Sequence, residues 1–202
     1  MKILYGTGNP AKLQAMRANL SKLDIEIIGL KDMEGEIPNA PEDGKTPLEN
    51  ARQKAWTYFH YYQIPVFSCD SGLYIEGIPD ELQPGVHVRT VHGKTLTDDE
   101  MRDYYSGLAA KYGDLTAQYI NAICLIIDET HVYESMDESL FGEKFLITSK
   151  PHSSIRRPGF PIDSLSKDIA SGKYYYDLEQ GNVDKLVEYP GFAVLFQKWG
   201  IC

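Results

Sequence analysis

The chain has 202 residues, of which 43% are hydrophobic and 24% charged, and its formal net charge is −9. This length supports one core, or a core divided into two lobes around a cleft, and we expect a single domain over residues 1–202. The acidic balance predicts no stable nucleic-acid partner, because nonspecific binding depends on Lys and Arg neutralising phosphates. We expect a cytoplasmic protein, because no apolar stretch approaches the roughly 20 residues that cross a bilayer and the N-terminus does not resemble a secretion signal.

The cysteines and histidines show no pattern of a reactive or structural site. Cys69, Cys124 and Cys202 are widely spaced and odd in number, which fits neither a disulfide framework nor a zinc site, so we expect reduced thiols. Asp70 is expected to raise the pKa of the neighbouring Cys69 thiol, which argues against a thiolate nucleophile. The histidines have no metal-binding spacing, and no serine lies in a nucleophile elbow.

The chain begins with an apolar segment, predicted as a strand over residues 2–6, and a helix is predicted over 10–23. Between them lies the glycine-rich turn "GTGNPAK", in which Asn9 is a suitable N-cap. A strand that enters a helix through such a turn leaves backbone N–H groups unpaired at the positive end of the helix dipole. Lys12 lies in the first helical turn, where a cation opposes the dipole. Together these features predict an anion-binding corner.

The same turn has two other interpretations. Gly6, Gly8 and Ala11 satisfy the G-x-G-x-x-G/A dinucleotide fingerprint, and Asp32 follows at about the distance of a ribose-binding acid. A tight turn into a capped helix, with no ligand, is the third interpretation. The rest of the chain favours the anion site, because a dinucleotide-binding half needs neither the acidic loop nor the strand-end aspartate that follow.

After a second predicted strand, "IEIIGL", the composition of residues 32–46 predicts a loop and the apolar spacing of 47–62 predicts a helix. The more polar positions of this helix are Glu49, Asn50 and Lys54. The segment "IPVFSCDSGL" is predicted as a short strand that ends in polar residues. Asp70 would then lie at the carboxyl end of a strand, where open α/β sheets present their chemistry.

The second half of the chain predicts further strands and one clear helix. "TDDE" is a capping box that begins a helix extending to Tyr112, and "AQYINAICLIID" is a strand. Residues 131–148 are predicted as two strands joined near Gly142. The segment 149–163 has neither period and is predicted as a loop that forms a second anion-binding locus. Its basic residues are Lys150, His152, Arg156 and Arg157. The alternation predicts an α/β fold with a mixed sheet.

Several acidic residues come from separate predicted elements. Glu42 and Asp43 lie in the loop, Glu49 begins a helix and Asp70 ends a strand, and hard oxygen ligands from separate elements suit Mg²⁺. The alternative for each is a solvated or helix-capping carboxylate. Asp70 is the strongest candidate, because "DSG" combines a carboxylate, a hydroxyl and a flexible backbone.

These segments, in this order, resemble the inosine triphosphate pyrophosphatase family, which hydrolyses deaminated purine nucleoside triphosphates to monophosphate and pyrophosphate. "TGNPAK" resembles the opening T-G-N-x-x-K motif, "EDGKTPLENARQKA" is similar to the acidic loop and following helix, and "CDSGL" resembles D-D-S-G-L. "PGV" and "TDDE" fit the stretch that follows, and "GFPID" resembles G-F-G-Y-D, so the matches span about residues 3–165.

The resemblance implies a mixed central β-sheet flanked by helices, with two lobes around a substrate cleft, a Mg²⁺ cofactor, a small-molecule nucleotide substrate and a homodimer. The implied metal ligands are Glu42 and Asp70, and the implied catalytic residues are Asp70, as general base, and Lys12. The implied substrate-binding residues are Thr7, Gly8, Asn9, Lys12, Lys54, Ser71, Phe160 under the base, and Asp163 nearby.

The chain departs from the family pattern at three points. Cys69 replaces the first aspartate of the double-acid motif, "FPID" lacks the glycine and tyrosine of the base-binding loop, and no S-H-R segment follows residue 165. A second hypothesis is therefore a nucleotide-binding relative that kept the cleft and lost turnover. The retained Asn9, Lys12 and Asp70 favour hydrolysis.

Overall fold

The structure is a computed structural model that describes residues 1–178 and 190–201. Residues 179–189, which belong to the divergent C-terminal stretch, and Cys202 lie outside the described residues. The chain divides into two compact units, which agrees with the two predicted lobes. The first unit contains Met1–Ser71, Ile120–Phe141 and the C-terminal helix, and the second contains Gly72–Tyr119 and residues 142–178.

The described strands, in chain order, are β1 (Lys2–Tyr5), β2 (Glu26–Gly29), β3 (Val66–Ile75), β4 (Thr90–Val91), β5 (Lys94–Thr95), β6 (Leu115–Ile126), β7 (Val132–Ser135), β8 (Phe145–Ile147) and β9 (Ser166–Asp168). The described α-helices are α1 (Pro10–Asn19), α2 (Pro47–Tyr62), α3 (Asp98–Tyr112) and α4 (Pro190–Lys198). The strands β4, β5 and β9 and the helix α4 are additions to the predicted elements.

The predicted mixed sheet is confirmed. β1 pairs in parallel with β2 and β3, whereas β6 pairs in antiparallel with β7 and β8, and β8 pairs in antiparallel with β9. Among the described residues, seven strands form this sheet in the order β2–β1–β3–β6–β8–β9, with β7 paired to β6. The short strands β4 and β5 form a separate antiparallel hairpin.

In the first unit, helices cover both faces of the sheet because β1 is apolar at consecutive positions. Ile3 and Tyr5 lie in the cluster that contains buried residues of α1 and α4, and Leu4 lies in the cluster that contains those of α2. Alternate residues of a strand point to opposite faces, so a strand buried on both faces needs such a continuous apolar run. Tyr5 also stacks on Phe67 of β3, with ring centroids 4.5 Å apart.

The helices begin where their caps predict. The side chain of Asn9 accepts a hydrogen bond from the Lys12 N–H at the start of α1, at 3.3 Å. Thr46 caps α2 in the same way, and α2 has the predicted bounds.

α1 ends at Asn19, so its predicted extension to residue 23 is wrong. The Ser21 hydroxyl donates to the Ala18 carbonyl oxygen at 2.8 Å, a local bond that competes with the helical pattern.

The predicted end of β3 near Asp70 is also wrong. Beyond Phe67, β3 is no longer in register with β1, yet the strand continues to Ile75. Leu73 exchanges two backbone hydrogen bonds with Gly85, at 2.9 and 3.0 Å, which extends the ladder. Asp70 therefore lies within β3, just past the point where β1 stops, and it is the end of β1 that opens space beside it.

The second unit has its own core between α3 and the strands β6 and β8. The capping box predicted at "TDDE" is confirmed, because the side chains of Thr97 and Glu100 each accept the other's backbone N–H. The core contains Leu73, Ile75, Met101, Tyr105, Leu108, Leu115, Phe145, Ile147, Ile162 and Leu165. The last three residues of the segment predicted as a loop, 161–163, belong instead to a 3₁₀ helix, Pro161–Leu165, that packs into this core.

None of the helices in the described residues is both long enough and apolar enough to cross a membrane.

Helix α4 depends on a close approach at Gly191. A Cβ atom added there would lie 2.6 Å from the carbonyl carbon of Ser139, and a backbone atom cannot rotate away. We predict that Gly191→Ala lowers the free energy of unfolding by about 1–3 kcal/mol in urea denaturation. The control is Val194→Ala on the exposed side of the same helix, for which a change within about 0.5 kcal/mol is expected. Equal stabilities of the two variants would contradict the prediction.

Candidate functional site

Five residues of the first unit form one connected set of polar contacts around Asp70, which we call the polar ring. The ring consists of Glu42, Gly44, Asn50, Lys54 and Asp70. The Lys54 Nζ lies 3.0 Å from Asp70 Oδ1 and 2.8 Å from Glu42 Oε1. The Asn50 amide donates to Asp70 Oδ2 at 2.9 Å and accepts the Gly44 N–H at 2.8 Å. The structure thus brings together Glu42, Lys54 and Asp70 of the predicted site.

Three elements supply the polar ring. Asn50 and Lys54 lie four residues apart on α2, which places them on the same side of the helix. Asp70 comes from β3, and Glu42 and Gly44 come from the loop before α2. The Lys54 and Asp70 side chains are 10% and 15% exposed, whereas the Glu42 side chain is 58% exposed. The ring is therefore buried at its base and open at Glu42.

The electrostatics of the ring keep Lys54 charged. Burial acts to lower the pKa of its ammonium group, but Asp70 and Glu42 outweigh burial and raise the pKa above its ordinary value of 10.5. Two carboxylates that share one ammonium leave a net negative charge at the open side of the ring. A buried cation is tolerated here because it is paired and hydrogen-bonded on both sides.

The oxygen atoms of the ring fit a hard divalent cation. Within the described residues, each Asp70 oxygen accepts one hydrogen bond and so keeps a further lone pair, and the Glu42 carboxylate that pairs with Lys54 is exposed. Mg²⁺ is usually held by one or two carboxylates together with water and substrate phosphates. Within residues 1–178 and 190–201, no group of three or more His, Cys, Asp or Glu side chains is arranged to hold a metal. A cation at Glu42 and Asp70 would therefore need other ligands.

Two of the acidic candidates have structural partners instead. Asp43 accepts a hydrogen bond from the Gln53 side chain at 2.7 Å, and Glu49 accepts the Lys45 N–H at 2.6 Å. Both contacts hold the acidic loop against the first turns of α2. The helix-capping interpretation is therefore the better one for Glu49.

The glycine turn holds its own shape by local hydrogen bonds. The Thr7 hydroxyl accepts the Asn9 N–H at 3.2 Å, in addition to the cap that Asn9 provides for Lys12. Lys12 is exposed. The two glycines differ, because a Cβ atom on Gly6 would meet buried side chains and one on Gly8 would meet open space. Packing explains Gly6, and the fold alone does not require Gly8.

The Cys69 thiol is buried next to Asp70 on β3, and its pKa is raised. Burial raises its pKa to about 12, Lys12 and Lys54 act in the opposite direction, and Asp70 adds to the rise. The predicted direction is confirmed, although burial and not Asp70 is the main cause. The Gly6 N–H donates to the Phe67 carbonyl oxygen at 2.8 Å, so the glycine turn begins beside β3, the strand that carries Asp70.

Ser71 follows Asp70 on β3, and its hydroxyl proton is already used. The hydroxyl donates to Asn121 Oδ1 at 2.7 Å, and the Asn121 amide donates to the Leu140 carbonyl oxygen at 2.6 Å. In this arrangement the Ser71 oxygen is left as a hydrogen-bond acceptor. Sequence reasoning missed Asn121, because an asparagine inside an apolar strand carries no motif.

Phe160 and Asp163, the residues predicted to contact a base, lie in the second unit. The Phe160 ring is exposed, and the Arg157 guanidinium lies 4.5 Å from its centroid. Burial raises the pKa of the Asp163 carboxyl to about 6, and nearby Arg157 opposes the rise only in part. An aromatic face, a planar cation and an easily protonated carboxyl therefore come from one short segment.

The basic loop is not a uniform anion site. His152 is buried, pairs with Asp177 at 3.1 Å and accepts the Ile155 N–H at 3.1 Å. Arg156 donates to the carbonyl oxygens of His152 and Ile155. These contacts hold the loop together. Of the four basic residues of the predicted second anion-binding locus, His152 and Arg156 therefore have structural roles, and Lys150 and Arg157 remain as candidates.

Comparisons with known proteins identify relatives along most of the chain. The profile of the Ham1 family matches residues 3–150. A dITP/XTP pyrophosphatase from Thermus thermophilus is 34% identical over 180 residues, which cover 88% of this chain and 81% of the relative. Another dITP/XTP pyrophosphatase, from Mannheimia succiniciproducens, is 27% identical over 210 residues and 98% of both chains. These matches confirm the resemblance drawn from the motifs and disfavour the dinucleotide-binding interpretation.

A solved structure supports the fold. The HAM1 protein from Coxiella burnetii superposes with a TM-score of 0.75 at 24% sequence identity, covering 100% of this chain and 98% of that one. The predicted fold class, a mixed central sheet flanked by helices, is thereby confirmed.

The raised pKa of Asp163 predicts that the stability of the fold depends on pH. Because its pKa rises from 3.8 to about 6 on folding, its contribution to stability is complete below pH 3.8 and is lost as the pH rises through 6. We expect the stability difference between Asp163→Asn and the wild type to shift in favour of the variant by about 1–3 kcal/mol as the pH rises from about 4 to about 7. Urea denaturation at each pH measures the difference, and Asp103→Asn on the exposed side of α3 controls for the lost charge. A difference independent of pH would contradict the prediction.

Proposed function

Because the chain belongs to the Ham1 family, we propose that it hydrolyses nucleoside triphosphates, of the deaminated purine class that includes dITP and XTP, to nucleoside monophosphate and pyrophosphate. The observation that carries the proposal is the polar ring, in which Glu42 and Asp70 converge on one cation. A phosphate chain and an acidic protein repel each other, so a site for this substrate needs local cations of this kind.

The proposal assigns the triphosphate to the side of the ring that faces the glycine turn. Thr7, Gly8 and Asn9 would offer the polar groups of the turn to the phosphates, and Lys12 and Lys54 would offset their charge. The hydrogen bond from the Gly6 N–H to the Phe67 carbonyl oxygen supports this assignment, because it places the start of the turn beside the strand that carries Asp70.

Glu42 and Asp70 are proposed to hold Mg²⁺, with the phosphates and water as the remaining ligands. When bound, Mg²⁺ neutralises phosphate charge and polarises the phosphoryl oxygens. Asp70 is the proposed general base, because it keeps free lone pairs at the buried end of the ring.

In the proposed reaction, a water molecule attacks the α-phosphorus and gives its proton to Asp70. The bond between the α-phosphorus and the oxygen that bridges to the β-phosphorus breaks, and pyrophosphate leaves with that oxygen. Lys12 and Lys54 stabilise the negative charge that develops on the leaving group. Ser71 would accept a hydrogen bond from the substrate or a water, since its own proton is used.

The base is assigned to Phe160 and Asp163 on the strength of the "GFPID" resemblance. The exposed Phe160 ring offers a stacking face, and the Asp163 carboxyl offers a hydrogen-bonding group. We further propose that the protein is a cytoplasmic homodimer that binds neither nucleic acid nor membrane, as its composition and the family resemblance imply.

Pyrophosphate release from dITP, XTP and the ordinary deoxynucleoside triphosphates, with and without Mg²⁺, tests this function. We expect turnover of dITP and XTP to exceed that of dATP and to require the metal. Asp70→Asn is expected to lower kcat by about 10³-fold with the circular dichroism spectrum retained, because the general base is lost. Asp43→Asn, in the acidic loop but outside the polar ring, is the control and should stay within about threefold of the wild type.

Two outcomes would overturn the assignment. Near-normal activity of Asp70→Asn would show that Asp70 is not the general base. Nucleotide binding by the wild type without pyrophosphate release would favour the alternative of a binding protein without turnover.

The two glycines of the turn give a second test. A Cβ atom on Gly6 would lie 2.6 Å from the buried Tyr58 ring, so Gly6→Ala should destabilise the fold by about 1–3 kcal/mol. Gly8→Ala should leave stability unchanged and raise KM about tenfold, because its methyl group enters the space assigned to the phosphates. An unchanged KM in Gly8→Ala would exclude the turn as the phosphate site.

A further inference from the structure

We propose that Asn50 is a positioning residue, which holds the Asp70 carboxylate in one orientation and ties that orientation to the loop that carries Glu42. This inference rests on the proposed function for its kinetic consequences. Its structural basis is the pair of hydrogen bonds that the Asn50 side chain makes, one to Asp70 and one to Gly44.

The orientation of the Asn50 amide is determined by its surroundings. Asn50 is 3% exposed, and its side-chain oxygen accepts the Gly44 N–H at 2.8 Å. A backbone N–H is only a donor, so the amide oxygen must face Gly44 and the amide nitrogen must face Asp70. Asn50 therefore donates to Asp70 in every arrangement that satisfies both contacts.

The absence of a side chain at Gly44 makes this contact possible. A Cβ atom there would lie 2.6 Å from the Glu49 Cβ and 2.7 Å from the Asn50 amide oxygen. The loop backbone can therefore approach α2 closely enough to donate to Asn50. Because Glu42 precedes Gly44 by two residues, the same contact limits where the Glu42 carboxylate can go.

In the part of the chain that the structure describes, Asp70 receives one donor on each oxygen, and both donors come from α2. Lys54 Nζ contacts Oδ1, and Asn50 Nδ2 contacts Oδ2. Two fixed donors on one helix define the plane of the carboxylate, which leaves its remaining lone pairs in fixed directions. The Lys54 ammonium lies at the end of a four-carbon stem and is shared with Glu42, whereas Asn50 has a short side chain anchored at Gly44. Asn50 is therefore the part of this pair that sets the orientation.

Such a role predicts a specific kinetic effect. Asn50 is buried, its nitrogen donates to Asp70 and its oxygen accepts from the Gly44 backbone, so both polar atoms of the amide are engaged by the protein. Its loss should act on the transition state through Asp70 and should lower kcat more than it changes KM. Partners that orient metal ligands in this way are typically worth about 10- to 100-fold in activity.

Asn50→Asp is the sharpest variant, because it keeps the acceptor for Gly44 and replaces the donor to Asp70 with an acceptor. With the nucleotide that the wild type turns over fastest, we expect kcat to fall about 10- to 100-fold and KM to change less than about threefold. Gln63→Glu is the matched control, since it makes the same amide-to-carboxylate change at the opposite end of α2, where the side chain donates to the carbonyl oxygens of Phe59 and His60. The control should keep kcat within about twofold of the wild type.

A second measurement tests the contact without any activity. In the double variant Asn50→Asp with Asp70→Asn, the amide and the carboxylate exchange places, so the hydrogen bond can form with reversed polarity. We expect the double variant to recover at least half of the fall in Tm that Asn50→Asp causes. Additive losses of Tm, or a wild-type kcat in Asn50→Asp, would overturn the proposal.

The two proposals fail in different ways. If the wild type releases no pyrophosphate from any nucleotide, the proposed function is wrong, and the recovery of Tm still decides whether Asn50 fixes Asp70. If Asn50→Asp does not fold, Gly44→Ala acts on the same contact from the loop side. Its added Cβ atom must push the loop away from Asn50, so kcat should again fall more than KM changes.

Discussion

The rest of the site depends on a lysine that is held between two carboxylates. Lys54 is nearly buried, and burial alone would favour its neutral form, yet Asp70 and Glu42 keep it charged. An unpaired buried ammonium is costly, so the fold must bring both acids to it. The three groups together carry a net negative charge that is open to solvent at Glu42, and such a charge attracts a metal cation.

The architecture of the first unit explains how the acids reach Lys54. β1 stops at Tyr5, whereas β3 continues past Asp70, so Asp70 sits beside the space that the end of β1 leaves. Helix α2 packs against the same sheet and directs Asn50 and Lys54 toward this space from one side. The strand and the helix are rigid elements with buried apolar contacts, and a site built on them is held more firmly than one built on loops.

Much of this organisation follows from local signals in the sequence. The bounds of α2 are set by Thr46 at its start and by the apolar spacing of its core face, and both are visible without coordinates. The cap at Asn9 and the capping box at Thr97 are local in the same sense. The end of α1 and the length of β3 were predicted wrongly because both depend on competing hydrogen bonds. One partner of β3, Gly85, comes 12 residues after Leu73, and no sequence pattern relates the two.

The sequence by itself determined the family, the fold class and the identity of Asp70, Glu42 and Lys54 as candidates, because motifs and periodicity are properties of neighbouring residues. Only the tertiary structure decided that Lys54 is buried between the two acids, that Asn50 turns its amide nitrogen to Asp70, and that Gly44 must lack a side chain. These facts depend on distances between a loop, a helix and a strand. Such distances arise from packing, which no local pattern encodes.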